Sequence, residues 1–168
     1  MPHSIAGLTG GATHHYCSVD IMIAEFNRDG TLPAGIHWSS WEEVELRFSF
    51  SERRRQLLSG LRSALRALHG AGCQRVYIDG SFVTAKREPD DYDACWDIEG
   101  VDLESLDPVF LDFSNARRAQ KRKHFGEFFP AQMPEGATGR LFLDFFQTDK
   151  ETGKPKGIVG LKLQREEL

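Results

Sequence analysis

The sequence predicts an α/β (α+β) domain with a mixed sheet and flanking helices, and three observations carry that expectation. Leu58, Leu61, Leu65 and Leu68 recur at three- and four-residue steps, the period of one helix face. Arg75-Val76-Tyr77-Ile78-Asp79 is a β-branched and aromatic run followed at once by Gly80-Ser81, the composition of a buried strand ending in a bend. Beyond these, the elements follow as helix, strand, strand, helix, strand, an order that suits a mixed sheet with helices packed against it. The chain has 168 residues, 40% apolar and 27% charged, enough for one real core and too short for two full-size domains.

Residues 1–20 are rich in Gly, Ser, Thr and His without periodicity and are expected to form a disordered arm, with residues 21–168 as a single domain. His3, His14 and His15 lack further ligands at metal-site spacing, so they are assigned to a solvated tail. A short strand is expected over Ile21 to Phe26, then a turn at Asn27-Arg28-Asp29-Gly30 and a loop through Leu32-Pro33-Ala34-Gly35. Ser40 and Glu43 stand at capping-box spacing, which predicts a helix from Trp41 to about Phe48. The leucine stripe defines a longer helix from about Ser51 to His69, stopped by Gly70 and Gly72; Arg53, Arg54, Arg62 and Arg66 lie largely off the stripe and are assigned to its solvated side. Arg75 to Asp79 and Tyr92 to Trp96 are expected strands, Ser114 to His124 a basic helix, and Pro130 to Gly139 a long loop. Leu141 to Gln147 and Ile158 to Leu163 are the last expected strands.

Charge and cysteine content exclude several function classes. Twenty-one Lys and Arg against 25 Asp and Glu leave a net charge of −4, so no global positive field draws the chain to nucleic acid. Cys17, Cys73 and Cys95 are widely spaced and odd in number, against a disulfide framework or structural zinc site and for a reducing cytoplasm. No apolar run approaches the ~18 residues of a membrane span, and no export signal opens the chain.

The chemistry concentrates between Tyr77 and Asp93. Gly80 permits a tight bend and the close approach of a bulky anion, and Ser81 offers a hydroxyl and an amide there, so a phosphate can be received at this point. After a nine-residue spacer, Asp91 and Asp93 stand at i and i+2 around Tyr92; on a strand both carboxylates share a face and Tyr92 takes the other. Two such charges about 4 Å apart repel by roughly 4 kcal/mol at an effective dielectric of 20, a penalty that a shared divalent cation reverses. Hard oxygen ligands suit Mg²⁺, or Mn²⁺ in its place, completed by water and substrate phosphates.

These residues resemble the nucleotidyltransferase superfamily, the polymerase-beta-like fold, whose pattern is Gly-Ser or Gly-Gly, a spacer of about nine to thirteen residues, then acid, apolar, acid. The resemblance implies metal binding by Asp91 and Asp93 and phosphate contact by Gly80 and Ser81. The chain also resembles the minimal single-domain members often found in bacterial toxin–antitoxin and defence pairs. More closely still, Phe26-Asn27, Gly35 to Trp38, Asp79 to Lys86 and Leu143 to Gln147 resemble one uncharacterised bacterial family among them. Family members carry a third carboxylate on a later strand. Asp144 is the preferred candidate for catalysis and metal binding, because a charge among large apolar residues is costly to bury without a partner; Asp112 is the rival, with capping of the following helix as its other reading. Where minimal members have Arg or Lys three residues after the Ser, this chain has Thr84, which leaves Lys86 as the expected triphosphate contact.

Arg117, Arg118, Lys121, Arg122 and Lys123 put five positive charges into seven residues. This is either a patch for RNA phosphates or a triphosphate, or a solvated cationic face. Asp97 shares the parity of Asp93 and either extends the acidic strand or begins its exit loop. Two functions from different classes are therefore expected. The first is Mg²⁺-dependent transfer of a nucleoside monophosphate from an NTP such as ATP to a hydroxyl of a tRNA 3′ end or a protein side chain. The second is a catalytically weak or inactive binding module acting as an antitoxin or assembly partner of a cognate toxin.

Overall fold

The computed structural model describes residues 23–165 and Leu168. The arm over residues 1–20, and the start of the first expected strand at Ile21 and Met22, lie outside the described residues. Five strands, β1 Gly35–Ser39, β2 Arg75–Asp79, β3 Asp93–Trp96, β4 Glu127–Pro130 and β5 Gly157–Lys162, form one mixed sheet in the order β1-β5-β2-β3-β4. β2 runs antiparallel to both β3 and β5, whereas β1 pairs with β5, and β3 with β4, in parallel. The helices are α1 Trp41–Phe48, α2 Glu52–Gly70, α3 Ser114–His124 and α4 Phe142–Phe146.

The capped helices fall where the sequence places them. Ser40 Oγ accepts from the Glu43 amide at 3.1 Å at the start of α1, and Ser51 Oγ accepts from the Arg54 amide at 3.2 Å at the start of α2, each satisfying an amide that the first turn leaves free. Leu57, Leu58, Leu61, Leu65 and Leu68 of α2 are buried with Val76, Ile78, Ala94, Trp96, Phe128, Val159 and Leu161 of the sheet, which builds the main core on one side. Each fully buried aliphatic side chain contributes about 1.5–3 kcal/mol. Gly60 makes the α2–α3 crossing close: a Cβ there would stand 2.1 Å from the carbonyl oxygen of His124.

Four elements differ from expectation. Ile23 to Phe26 is not a strand; Ile23 is buried, and its amide donates to the Glu43 carboxylate at 2.8 Å in place of a strand partner. The edge strand is instead β1, which the loop-like Pro33 and Gly35 concealed. Leu141 to Gln147 forms the short helix α4 rather than a strand, because Phe142 and Phe146 sit one turn apart and both close on Phe129, at ring distances of 4.3 and 5.9 Å. β4 was not expected at all.

The second side of the sheet carries Tyr77, Cys95, Phe129 and Ile158, packed with Phe142 and Phe146 of α4. Directly paired residues share a face. Tyr77, Cys95 and Phe129 are therefore one row across this side, and Asp79, Asp93 and Glu127 are the next.

Candidate active site

β2 ends at Asp79, and Gly80 turns the chain at φ +84 into the single helical turn Ser81–Val83. A Cβ at Gly80 would stand 3.0 Å from Asp93 Oδ2 and 3.2 Å from the Asp93 amide nitrogen. Both the left-handed conformation and the carboxylate resting against the backbone thus require glycine. The Gly-Ser bend and the second aspartate of the motif meet directly.

Tyr92 is buried in the helix-side core, where its hydroxyl donates to the His124 carbonyl at 2.7 Å. β3 starts at Asp93, one residue later than expected, and Asp91 precedes the strand. Asp93 faces three other carboxylates: burial first, then the fields of Asp79, Glu127 and Asp91, push its carboxyl up to about 6. Its neighbours each have a cation in contact. Lys156 donates to Asp79 Oδ1 at 2.6 Å, and burial still raises the Asp79 carboxyl against that pull. Arg117 Nε donates to Glu127 Oε2 at 2.6 Å, and Lys121 reaches both Glu127 and, at 3.4 Å, Asp91. Burial works against the charge on Glu127, yet Lys121 and Arg117 hold its carboxyl below the ordinary value. Asp93 has no ion pair among the described residues.

The first turn of α2 clamps the connection between the bend and the aspartates. Arg54 is fully buried, contrary to the solvated position expected for it, and donates to the carbonyls of Phe82 at 2.7 Å, Thr84 at 2.8 Å and Lys86 at 2.6 Å. Its guanidinium also lies 4.1 Å over the Phe50 ring and 5.2 Å over that of Phe82. Burial pushes Arg54 down to about 10, which leaves it charged at neutral pH. Ser51 Oγ donates to the Arg87 carbonyl at 2.9 Å, and Arg53 donates to the carbonyls of Pro89 and Asp90. Thr84 closes the turn by donating to the Ser81 carbonyl at 2.7 Å.

The remaining expected residues lie apart from this centre or are already engaged. Asp144 is on α4 rather than a strand, with its side chain exposed, so the strand geometry that recommended it is absent. Asp112 accepts from the Ser114 amide at 3.0 Å and hydroxyl at 2.5 Å, the capping role given as its other reading. Lys86 is exposed, and its ammonium stands 3.5 Å from Asp90. Asp97 pairs with Arg75 at 2.7 Å, four residues and roughly 13 Å along the strand from Asp93. Of the five basic residues of α3, Arg117 and Lys121 hold Glu127 and Lys123 pairs with Asp107, which leaves Arg118 and Arg122 exposed.

Asp79 and Glu127 are the acids of the site that the sequence does not single out, and Lys121, expected in an open basic patch, is instead an ion-pair partner of Glu127 and Asp91. Among the described residues no group of three or more His, Cys, Asp and Glu side chains is placed to hold a metal. The donor chemistry nonetheless fits a hard cation: the acids at the bend are all carboxylates, and Mg²⁺ is usually bound by one or two of them plus substrate phosphates and water. Among the described residues no helix is long and apolar enough to cross a membrane.

Neither the curated proteins nor the solved structures include a match to the chain. Residues 24–162, spanning every strand of the sheet and both halves of the bend, match one family of unknown function, and the chain belongs to that family, DUF6932.

Proposed function

We propose that the chain is a minimal nucleotidyltransferase that transfers a nucleoside monophosphate from an NTP to a hydroxyl acceptor. The observation that supports this reading is the contact of the Asp93 carboxylate with Gly80, beside Asp79 and Glu127 in strand register. Asp91 and Asp93 would hold Mg²⁺ or Mn²⁺, which when bound supplies charge neutralisation at the phosphates and orients them for in-line attack. The space beside Gly80 is taken by the Asp93 carboxylate, so the phosphate contact falls to Ser81, which presents its hydroxyl and amide just past the bend. In the reaction the acceptor oxygen bonds to the α-phosphorus, the bond from that phosphorus to the α–β bridging oxygen breaks, and pyrophosphate leaves with the electron pair. Glu127 replaces Asp144 in the third-carboxylate role, as an oxygen donor or as the acceptor of the hydroxyl proton.

The acceptor is an RNA 3′ end or a protein side chain, within a toxin–antitoxin or defence pair. Three of the five α3 cations are engaged in ion pairs, which removes the reason to favour RNA over protein. One observation favours the binding-module reading. Lys121 and Arg117 neutralise Asp91 and Glu127 from within the chain, so part of the acid set is satisfied without a metal.

The deciding assay incubates each α-labelled NTP with the protein, Mg²⁺ or Mn²⁺, total RNA and cell lysate. Asp91→Ala, Asp93→Ala and Glu127→Gln are each expected to lose label at least a hundredfold, while Asp144→Asn retains it. Equal labelling by wild type and the aspartate variants ends the catalytic reading. Loss in Asp144→Asn with retention in Glu127→Gln reverses the third-carboxylate assignment.

A further inference from the structure

We infer that the hairpin leading into β5 is the polyphosphate cradle of this site, with Lys150 and Lys156 as the groups that take the β- and γ-phosphates of an NTP. The inference rests on the NTP reading above and assigns a part of it that the sequence motif leaves open. Topology places the hairpin there. β5 runs antiparallel to β2 with Ile78 opposite Val159, so the start of β5 lies beside the end of β2, where the chain turns at Gly80. The segment just before β5 is therefore delivered to the Gly-Ser bend, although it is distant in sequence.

The hairpin is built to hold its shape. Its neck is tied by the Lys156 amide to the Gln147 carbonyl at 2.9 Å and the Asp149 amide to the Lys154 carbonyl at 2.8 Å. The Asp149 carboxylate is occupied by its own turn, accepting from the Glu151 amide at 3.0 Å and the Thr152 amide at 2.7 Å. The hairpin also carries the exposed Glu151 and Lys154; Lys150 and Lys156 are the two of its cations that act on the acids of the site. Lys156 reaches the first acid of the row, with its ammonium 2.6 Å from Asp79 Oδ1. Lys150 lies 5.5 Å over the Phe145 ring of α4, on the same side of the sheet, and its field acts on both Asp79 and Asp93.

Lys86 is less suited to the task. It is exposed on the clamped connection and directed to Asp90. An ammonium has three donors, so the Asp79 contact leaves Lys156 with two for phosphate oxygens. A polyphosphate lying from Ser81 toward the hairpin would place its negative charge between the two lysines.

The test uses the full chain and inorganic tripolyphosphate as the probe, titrated by calorimetry with and without Mg²⁺. Lys150→Ala removes one surface charge and is expected to weaken tripolyphosphate about tenfold. Because Lys156→Ala would strand a buried carboxylate, Asp79→Asn combined with Lys156→Met removes the pair together, leaves the net charge unchanged, and is expected to lose about tenfold as well. Asp79→Asn alone frees Lys156, and metal-free tripolyphosphate is expected to bind it more tightly than wild type. Lys162→Ala, which removes the same charge at the far end of β5, is expected to have no effect. If wild type binds the probe but Lys150→Ala and the double variant bind it equally well, the cradle assignment falls while the NTP reading stands. If wild type binds neither tripolyphosphate nor Mg-ATP, the NTP reading falls and the cradle with it.

Discussion

At the scale of single residues, the centre turns on the cost of ionising Asp93. In the metal-free protein, burial and the fields of Asp79, Glu127 and Asp91 raise its folded value to about 6, from an ordinary 3.8. The folded state therefore holds this proton more tightly than the unfolded chain. Stability from that source is fully present below pH 3.8 and is lost as pH rises through about 6. The two-unit displacement corresponds to about 2–3 kcal/mol at neutral pH. Asp93→Asn removes the cost and keeps the shape, so urea denaturation without metal should show the variant more stable than wild type by about 2 kcal/mol at pH 7, with the gap closing near pH 4. A variant less stable than wild type at pH 7 would show that Asp93 is held by favourable contacts.

Among the elements, the first turn of α2 has the widest reach, because Ser51, Arg53 and Arg54 together bind six carbonyls along residues 82–90. Arg54→Met keeps much of the apolar stem but leaves the buried carbonyls without donors, for an expected loss of about 3–5 kcal/mol in chemical denaturation. Hydrogen exchange should rise across residues 82–90 well before β5; an even rise across the sheet would make Arg54 an ordinary core residue. The sequence disguised it, since its position off the leucine stripe is that of a solvated arginine. Elements with local signals were legible: the caps and leucine steps mark α1 and α2, and the β-branched run marks β2. β1, β4 and α4 have four or five residues each, too few for a period to show, and are specified by the partners they meet. The site divides in the same way. Gly80, Ser81, Asp91 and Asp93 lie within one local motif, whereas Glu127 joins them through β3–β4 register, and Lys156 is 77 residues from the Asp79 it touches.

For the molecule as a whole, the decisive feature is that the last strand in sequence lies inside the sheet. β5 is the neighbour of both β1 and β2, with Ile158, Val159 and Leu161 buried, so β1 joins the sheet through β5. The proposed site spans the same junction: the bend and Asp79 end β2, Asp93 starts β3, and the lysine hairpin enters β5. A ligand seated there would bridge the part of the sheet that closes last in sequence to the part that forms around α2. Its binding energy should therefore appear as global stability rather than as local ordering of a loop. At a hundredfold excess over its dissociation constant, a Mg²⁺–NTP complex is expected to add about 2.7 kcal/mol to unfolding, in a single cooperative transition. Hydrogen exchange should slow in β2 and β5 together, since both are released only when the sheet opens. Protection confined to residues 80–93, or a second unfolding step with ligand present, would mean that the ligand grips the motif loop alone and that the hairpin plays no part in holding it.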